Sequence, residues 1–350
     1  MPDSGTAAAP PATALTELDL ALFDALQTSP RAPWPRIGRA LGVDGTTAAR
    51  RWERLRRAGL AWITAHEGVG TATVGYARVR CAPRHAASVS AAVARLPWVF
   101  GVDETDGDHD LALALLATDL PALGRAVREE IGGLRGVRAV RTAVGITQYG
   151  ESSSWRTRAM DSSGRAELPQ PRPAGPYSFS ARTHDRRPPE EQALLSALAE
   201  DGRLPWTELA ARTGTGEHTA RRRVQRMIRD GDVVLRCDLA HRLAGLPAVL
   251  IYRAAVPHAG LARTGNALAR LEQVRMCASV SGPDNLLFVP WLHGLDAVGP
   301  FDELLAARFP DVEVRERTVV LHSVKRMGRL LDPWGRATGQ VPVRAGGGPG

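Results

Sequence analysis

Lysine is all but missing from this sequence. Of 45 cationic side chains only Lys325 is a lysine, so arginine carries the net charge of +8 and the pI near 10.3. Cysteine is scarce too. Cys81, Cys237 and Cys277 stand far apart, with no CxxC pair and no nearby histidine set, which argues against structural zinc and for a reducing compartment. Long apolar runs are lacking: LALALLATDL from Leu111 is far too short to span a bilayer. The opening MPDSGTAAAPPATA shows no basic start followed by an apolar stretch. The expectation is a cytoplasmic protein with no membrane partner, metal or cofactor.

What is present is globular in composition, 44% apolar and 23% charged, and 350 residues suffice for two or more domains. Arginine-borne charge suggests a polyanionic partner, nucleic acid before anionic membrane. A GC-rich genome produces the same arginine total, so the distribution of the charge has to decide.

The chain repeats itself. A shift of 172 lays Leu22, Phe23 and Leu26 on Leu194, Leu195 and Leu198, Pro33-Trp34 on Pro205-Trp206, and Gly42 on Gly214. The same shift pairs Arg50-Arg51 with Arg222-Arg223, Arg54 with Arg226 and Gly59 with Gly231. Further on, a shift of 175 pairs Gly107 with Gly282, Leu111 with Leu286 and Val137 with Val312. Two ordered blocks with one loop-sized offset indicate a duplication.

The first block of each copy reads as three helices. Leu18, Leu22 and Leu26 mark one, Ile37, Ala40 and Leu41 a second, and a Gly42 turn leads to a third near Asp44. Copy two repeats this through Leu209, Ala210 and Gly214. Asp44 and Thr207 read as N-caps, Gly59 and Gly231 as C-terminal stops. On the third helix Ala220, Val224 and Met227 form one apolar stripe, and Arg222, Arg226 and Arg229 form a basic one. Copy one matches with Ala48, Trp52 and Leu55 against Arg50, Arg54 and Arg57. One face packs while the other presents guanidinium groups, a design suited to the major groove. The strand-like LAWIT and DVVLRC that follow make each a winged helix-turn-helix. The Pro-Trp pairs read as core packing.

LGVDGTTAARRWERLRRAGL and TGTGEHTARRRVQRMIRDGDV resemble the DNA-binding domain of the Lrp/AsnC family of bacterial transcriptional regulators. The resemblance implies DNA contacts from Thr46, Thr47, Arg50, Arg51 and Arg54, and from His218, Thr219, Arg222, Arg223 and Arg226. Arg57 and Arg229 join Arg51 and Arg223 as phosphate contacts, while Thr46, Arg50, His218 and Arg222 near the helix starts read bases. The helix starts lack the family's Ser-Pro pairs, and Glu53 stands where a basic residue is common.

The second block of each copy alternates as βαββαβ, a ferredoxin-like α+β unit whose open sheet face calls for a second sheet. It resembles the family's effector (RAM-type) domain, in which paired sheets form the dimer and amino-acid-like ligands bind near the interface. TDGDHDLAL is similar to the family's Gly-Asp-Tyr-Asp turn, implying effector contacts from Gly107, Asp108 and Asp110, with Gly282 and Asp284 in copy two. The same residues suit an ordinary hairpin turn, and His109 is expected to be exposed.

The expected domains are a disordered tail over 1–14, winged helix-turn-helix units over 15–66 and 188–240, and effector domains over 70–150 and 244–332. A structureless linker over 151–187, with a reach of roughly 30–35 Å, and a tail over 333–350 complete the chain. The two effector domains are expected to form an intrachain pseudo-dimer. Double-stranded DNA and a small effector are the expected partners, with homo-oligomers an open question. Two readings compete with a non-enzymatic regulator. One is a sirohaem-decarboxylase-like enzyme on the same architecture, which needs histidines and arginines in the effector cleft. The other is a sensor that no longer binds DNA.

Overall fold

A computed structural model describes residues 15–68, 72–150, 155–169, 176–179 and 187–346, so the expected tail over 1–14 lies outside the described residues. Helix α1 (Glu17–Thr28) starts on a reciprocal cap: the Asp19 amide donates to the Thr16 hydroxyl, and the Thr16 amide to the Asp19 carboxylate. It buries Leu22, Phe23 and Leu26. After α2 (Trp34–Ala40), Gly42 takes a φ of +66°, which a side chain would strain, and turns the chain into α3 (Gly45–Arg57). Asp44 caps α3 by accepting from the Thr46 amide at 2.7 Å, and Gly59 follows the helix at φ +67°.

Strand β1 (Ala61–Glu67) leads into the first effector unit: β2 (Thr73–Cys81), α4 (Ala86–Ala94), β3 (Val99–Thr105), β4 (Leu111–Ala117), α5 (Leu120–Ala126) and β5 (Val137–Gly150). The expected linker is not structureless. It holds α6 (Ser162–Ala166) and the short β6 (Tyr177–Ser178), and it buries Met160 and Leu168 in the core of the first helix-turn-helix. The Met160 amide donates to Asp24 Oδ2 at 2.9 Å and the Thr157 amide to Gln27 Oε1 at 3.1 Å, so α1 holds the segment in place.

Copy two follows with α7 (Pro189–Glu200), α8 (Trp206–Thr213), α9 (Glu217–Arg229) and β7 (Val233–Leu239). Pro205 stands at the cap of α8, which places Thr207 inside the first turn rather than at the N-cap. The second effector unit is β8 (Ala248–Ala255), α10 (His258–Leu268), β9 (Val274–Val280), β10 (Leu286–Leu292), α11 (Val298–Arg308) and β11 (Glu313–Arg326). The expected C-terminal tail is also built in. It forms β13 (Ala337–Gln340), which pairs with β12 (Arg329–Leu331) at the end of the second effector unit, and Gly346 bridges to Ala117.

Each effector unit has the ferredoxin-like strand order, β3-β4-β2-β5 and β9-β10-β8-β11. The 14-residue strands β5 and β11 are long enough to serve two sheets. β5 pairs with β2 and, from Gly145 onward, with β9; β11 pairs with β8 and, from Val320 onward, with β3. Eight strands therefore close into a ring within one chain, leaving none of them an open edge. Helices cover the outer faces over two cores, one around Val79, Val93 and Leu115, the other around Leu250, Tyr252 and Phe288. This is the expected pseudo-dimer.

The strands after the third helices are also shared. β1 and β7 pair antiparallel with each other, Ala61 opposite Leu239 and Glu67 opposite Val233. Cys237 and Leu239 enter the core of the first helical unit, while Ala65 enters that of the second. The two helix-turn-helix units thus form one body.

Candidate nucleic-acid interface

The apolar stripes of α3 and α9 are fully used: Ala48, Trp52 and Leu55 are buried, as are Ala220, Val224 and Met227. What remains on the other face differs from residue to residue. The guanidinium groups of Arg50, Arg221, Arg222 and Arg229 are exposed and meet no partner among the described residues. Thr46 and His218 lie exposed at the helix starts, with Thr47 and Thr219 half-buried beside them. The four arginines and His218 are unengaged among the described residues, while the Thr46 hydroxyl also hydrogen-bonds the Asp44 carboxylate.

Other candidates are engaged within the protein. Arg54 reaches the fully buried carboxylate of Asp19 at 2.7 Å and Arg51 reaches it at 3.2 Å, tying α3 to α1. Burial raises the Asp19 pKa, but the Arg54 hydrogen bond and the Thr16 cap outweigh it, and the carboxyl titrates below its ordinary range. Copy two repeats the link with Arg226 and Glu191. Arg57 is paired to Glu53 at 2.6 Å and Arg56 at 2.9 Å, whereas Arg223 is half-buried with no partner for its Nη1 among the described residues. The arginine register therefore serves two purposes, an inter-helix clamp and a presented stripe, which spacing alone does not separate.

Sequence reasoning missed the contact that joins the units. Arg31 lies over Trp206 at 3.8 Å and Arg203 over Trp34 at 3.9 Å. Arg31 donates to the carbonyls of Gly202 and Leu204, and Arg203 to those of Pro30 and Ala32. The tryptophan of each Pro-Trp pair thus packs against its own core, as expected, and also serves as an interface receptor. The signal was available, because Arg31 and Arg203 are themselves repeat mates.

In the effector body the glycine-aspartate turns are locked by backbone bonds. Gly107 and Gly282 have φ of +83° and +105°. The Asp110 carboxylate accepts from the Cys81 amide at 2.6 Å, and its mate Asn285 accepts from the Val256 amide at 2.9 Å. Each turn also touches the opposite unit: the Val319 amide donates to Asp106, and the Val144 amide to Ser281. His109 is buried, not exposed as expected; its Nδ1 lies 3.3 Å from Glu316, which also pairs with Arg78. Burial pulls the His109 pKa below its ordinary value against the pull of Glu316. Arg253, the repeat mate of Arg78, is buried beside them and within the field of Asp284. A histidine, two arginines and a glutamate thus meet where the two sheets join. Among the described residues no cluster of histidine, cysteine or acidic groups is arranged to hold a metal ion, and no helix is long and apolar enough to cross a membrane.

Paired three-helix units on a closed eight-stranded body define a tandem helix-turn-helix protein. Residues 15–56 and 192–228 match the AsnC-type helix-turn-helix domain, and residues 75–155 match the Lrp/AsnC ligand binding domain. The chain thus carries two AsnC-type helix-turn-helix domains and an Lrp/AsnC ligand binding domain. An uncharacterized HTH-type transcriptional regulator of Pyrococcus abyssi is 28% identical over 139 residues, covering 39% of this chain and 87% of that protein. The HTH-type transcriptional regulator FL11 of Pyrococcus horikoshii is 24% identical over 143 residues, 40% of this chain and 94% of its own length. LysM of Saccharolobus solfataricus, another such regulator, is 25% identical over 132 residues, 37% and 92% of the two chains. Nearly the whole of each relative thus corresponds to about two fifths of this chain. Among solved structures, the siroheme decarboxylase NirDL, in complex with an iron-uroporphyrin III analogue, covers 89% of this chain and 93% of its own. The TM-score is 0.56 and the identity 12%, a likeness of fold.

Proposed function

We propose that this chain is a sequence-specific DNA-binding transcriptional regulator, working in the cytoplasm and modulated by a small effector. The observation that carries it is the pair of third helices, α3 and α9. Each has a buried apolar face and an outward basic face, and the Arg31–Trp206 and Arg203–Trp34 contacts hold the two units together. Rigid spacing matters because two half-sites on a duplex are read together only when the reading helices keep a fixed separation. Arg222 and Arg50, free at the surface near the helix starts, are assigned to bases, with Thr46 and His218 beside them. Arg229 and Arg223 are assigned to phosphates, where Arg51, Arg54, Arg57 and Arg226 add charge while holding the fold. In the effector body, Asp108 and Asp284 are the turn residues assigned to an effector, while Gly107, Gly282 and Asp110 shape the turns.

The test is retention of sheared genomic DNA across a salt series, with sequencing of the bound fragments. A steep salt slope and a recurring site, both lost in an Arg222→Ala/Arg223→Ala variant, support the reading. Weak binding with no enriched site overturns it.

A second reading, tetrapyrrole chemistry, is favoured by the likeness of fold to NirDL over 89% of this chain and by the group of buried His109 and Arg253 with half-buried Arg78 and Glu316. Titration with an iron-uroporphyrin discriminates. A shifted absorption band that disappears in His109→Ala speaks for the enzyme, and an unchanged spectrum speaks for the regulator.

A further inference from the structure

Arginine gathers at a second place, away from the DNA-facing helices. Arg156, Arg158, Arg270 and Arg275 line a cavity of about 220 Å³, where the segment after β5 passes over the loop between α10 and β9. Among the described residues one carboxylate shares the lining, Glu272, and it is already paired with Arg158. Arg275 is the innermost of the four, with a side chain 3% exposed. An ion pair with the buried Asp238 holds it, and the rings of Trp291 and Trp155 flank it at 3.9 and 4.8 Å. Its Nε and Nη1 are buried and meet no acceptor among the described residues. Guanidinium donors out of water with nothing to donate to are costly, and an incoming anion removes that cost.

The repeat adds an independent argument. The mates of Arg275, Trp291 and Asp238 in the first copy are Phe100, Leu116 and His66, which supply no arginine, no indole and no buried carboxylate. A feature inherited from the duplicated ancestor occurs twice; this one occurs once, in the copy where the chain between the halves forms part of the wall. That wall continues from Trp155 to the Thr157 and Met160 amides, which are bound to Gln27 and Asp24 of α1. Occupancy of the cavity therefore bears on the seat of the first helix-turn-helix.

We infer that this cavity binds one small dianion per chain, a dicarboxylate or a phosphate, with an indole wall for an apolar portion of the ligand. Binding here does not depend on whether the chain binds DNA, so the two readings fail separately.

The test is calorimetric titration of the full chain with succinate and, separately, with inorganic phosphate, at matched ionic strength. Saturable binding of either anion at one site per chain is expected. Arg158→Ala/Arg270→Ala, which removes two cations at the outer part of the lining, is expected to weaken it about tenfold or more with an unchanged melting temperature. The tighter of the two anions identifies the ligand class. No saturable binding of either, two equal sites per chain, or unaltered binding by the double variant overturns the proposal. Arg275→Met removes the innermost donor but also one of the two arginine partners of Asp238, so the lining variant is the one that decides.

Discussion

The guanidinium of Arg31 stacks on Trp206 at 3.8 Å, and its repeat mate Arg203 stacks on Trp34 at 3.9 Å. Burial draws both arginine pKa values down to about 10, which leaves both charged at neutral pH. Each copy thus supplies one cation and one aromatic receptor to the other. Trp206→Ala is expected to cost about 2–3 kcal/mol in urea unfolding, since a half-buried indole and its cation contact are both lost. A double-mutant cycle with Arg31→Ala should show a coupling of roughly 1–2 kcal/mol. Strict additivity would mean that the stacking does not help to hold the units together.

The arginines of α3 divide into clamp and contact. Arg54→Ala leaves the buried Asp19 carboxylate short of its best partner, and a loss of about 1–3 kcal/mol in stability is expected. Arg50→Ala should alter stability by no more than about 0.5 kcal/mol yet weaken DNA binding. On α9, Arg222→Ala should cost roughly 1–3 kcal/mol of binding and relax preference at one base position. Equal stability effects of Arg50→Ala and Arg54→Ala would contradict this division.

Asp110 and Asn285 make the same bond to a backbone amide in the two copies. Asp110→Asn is therefore expected to be tolerated, within about 1 kcal/mol, while Asp110→Ala should cost about 1–3 kcal/mol by orphaning the Cys81 amide. Thermal melting of the two variants decides. If both substitutions are harmless to folding but abolish an effector response, Asp110 is a ligand contact instead.

Lys325, the sole lysine, is buried with its ammonium donating to the Leu96 carbonyl at 2.8 Å, and burial lowers its pKa to about 8. The unfolded chain holds that proton up to about pH 10.5, so between pH 8 and 10.5 the unfolded state binds more protons. Stability contributed by this group must then rise with pH across that window, and the penalty is full below pH 8. Compared with Lys325→Met, the wild-type chain should gain roughly 2–3 kcal/mol in relative stability from pH 8 to 10.5. A difference that does not change with pH would show that the ammonium is solvated.

Much of the architecture was legible because duplication doubles every local signal. Helical stripes, turn glycines such as Gly42 and Gly214, and the βαββαβ order all depend on neighbours within a few residues, and they stand in the structure as expected. The failures share a cause. Pro205, two residues earlier, takes the cap position expected of Thr207, and His109 was expected at the surface of a turn that in fact lies against Glu316 of the other half. The segment expected as a linker has no periodicity of its own, yet Asp24 and Gln27 of α1 supply hydrogen-bond partners to its backbone.

By itself, the sequence determined the duplicated modules, their element order and the faces each helix buries, since these follow from spacing along one segment. Only the tertiary structure decided that β1 joins β7, that β5 and β11 close one ring, and that Arg54 clamps while Arg222 is free. Those outcomes depend on which carboxylate, ring or strand edge arrives from more than a hundred residues away, or from another helix. Spacing along a segment records none of that.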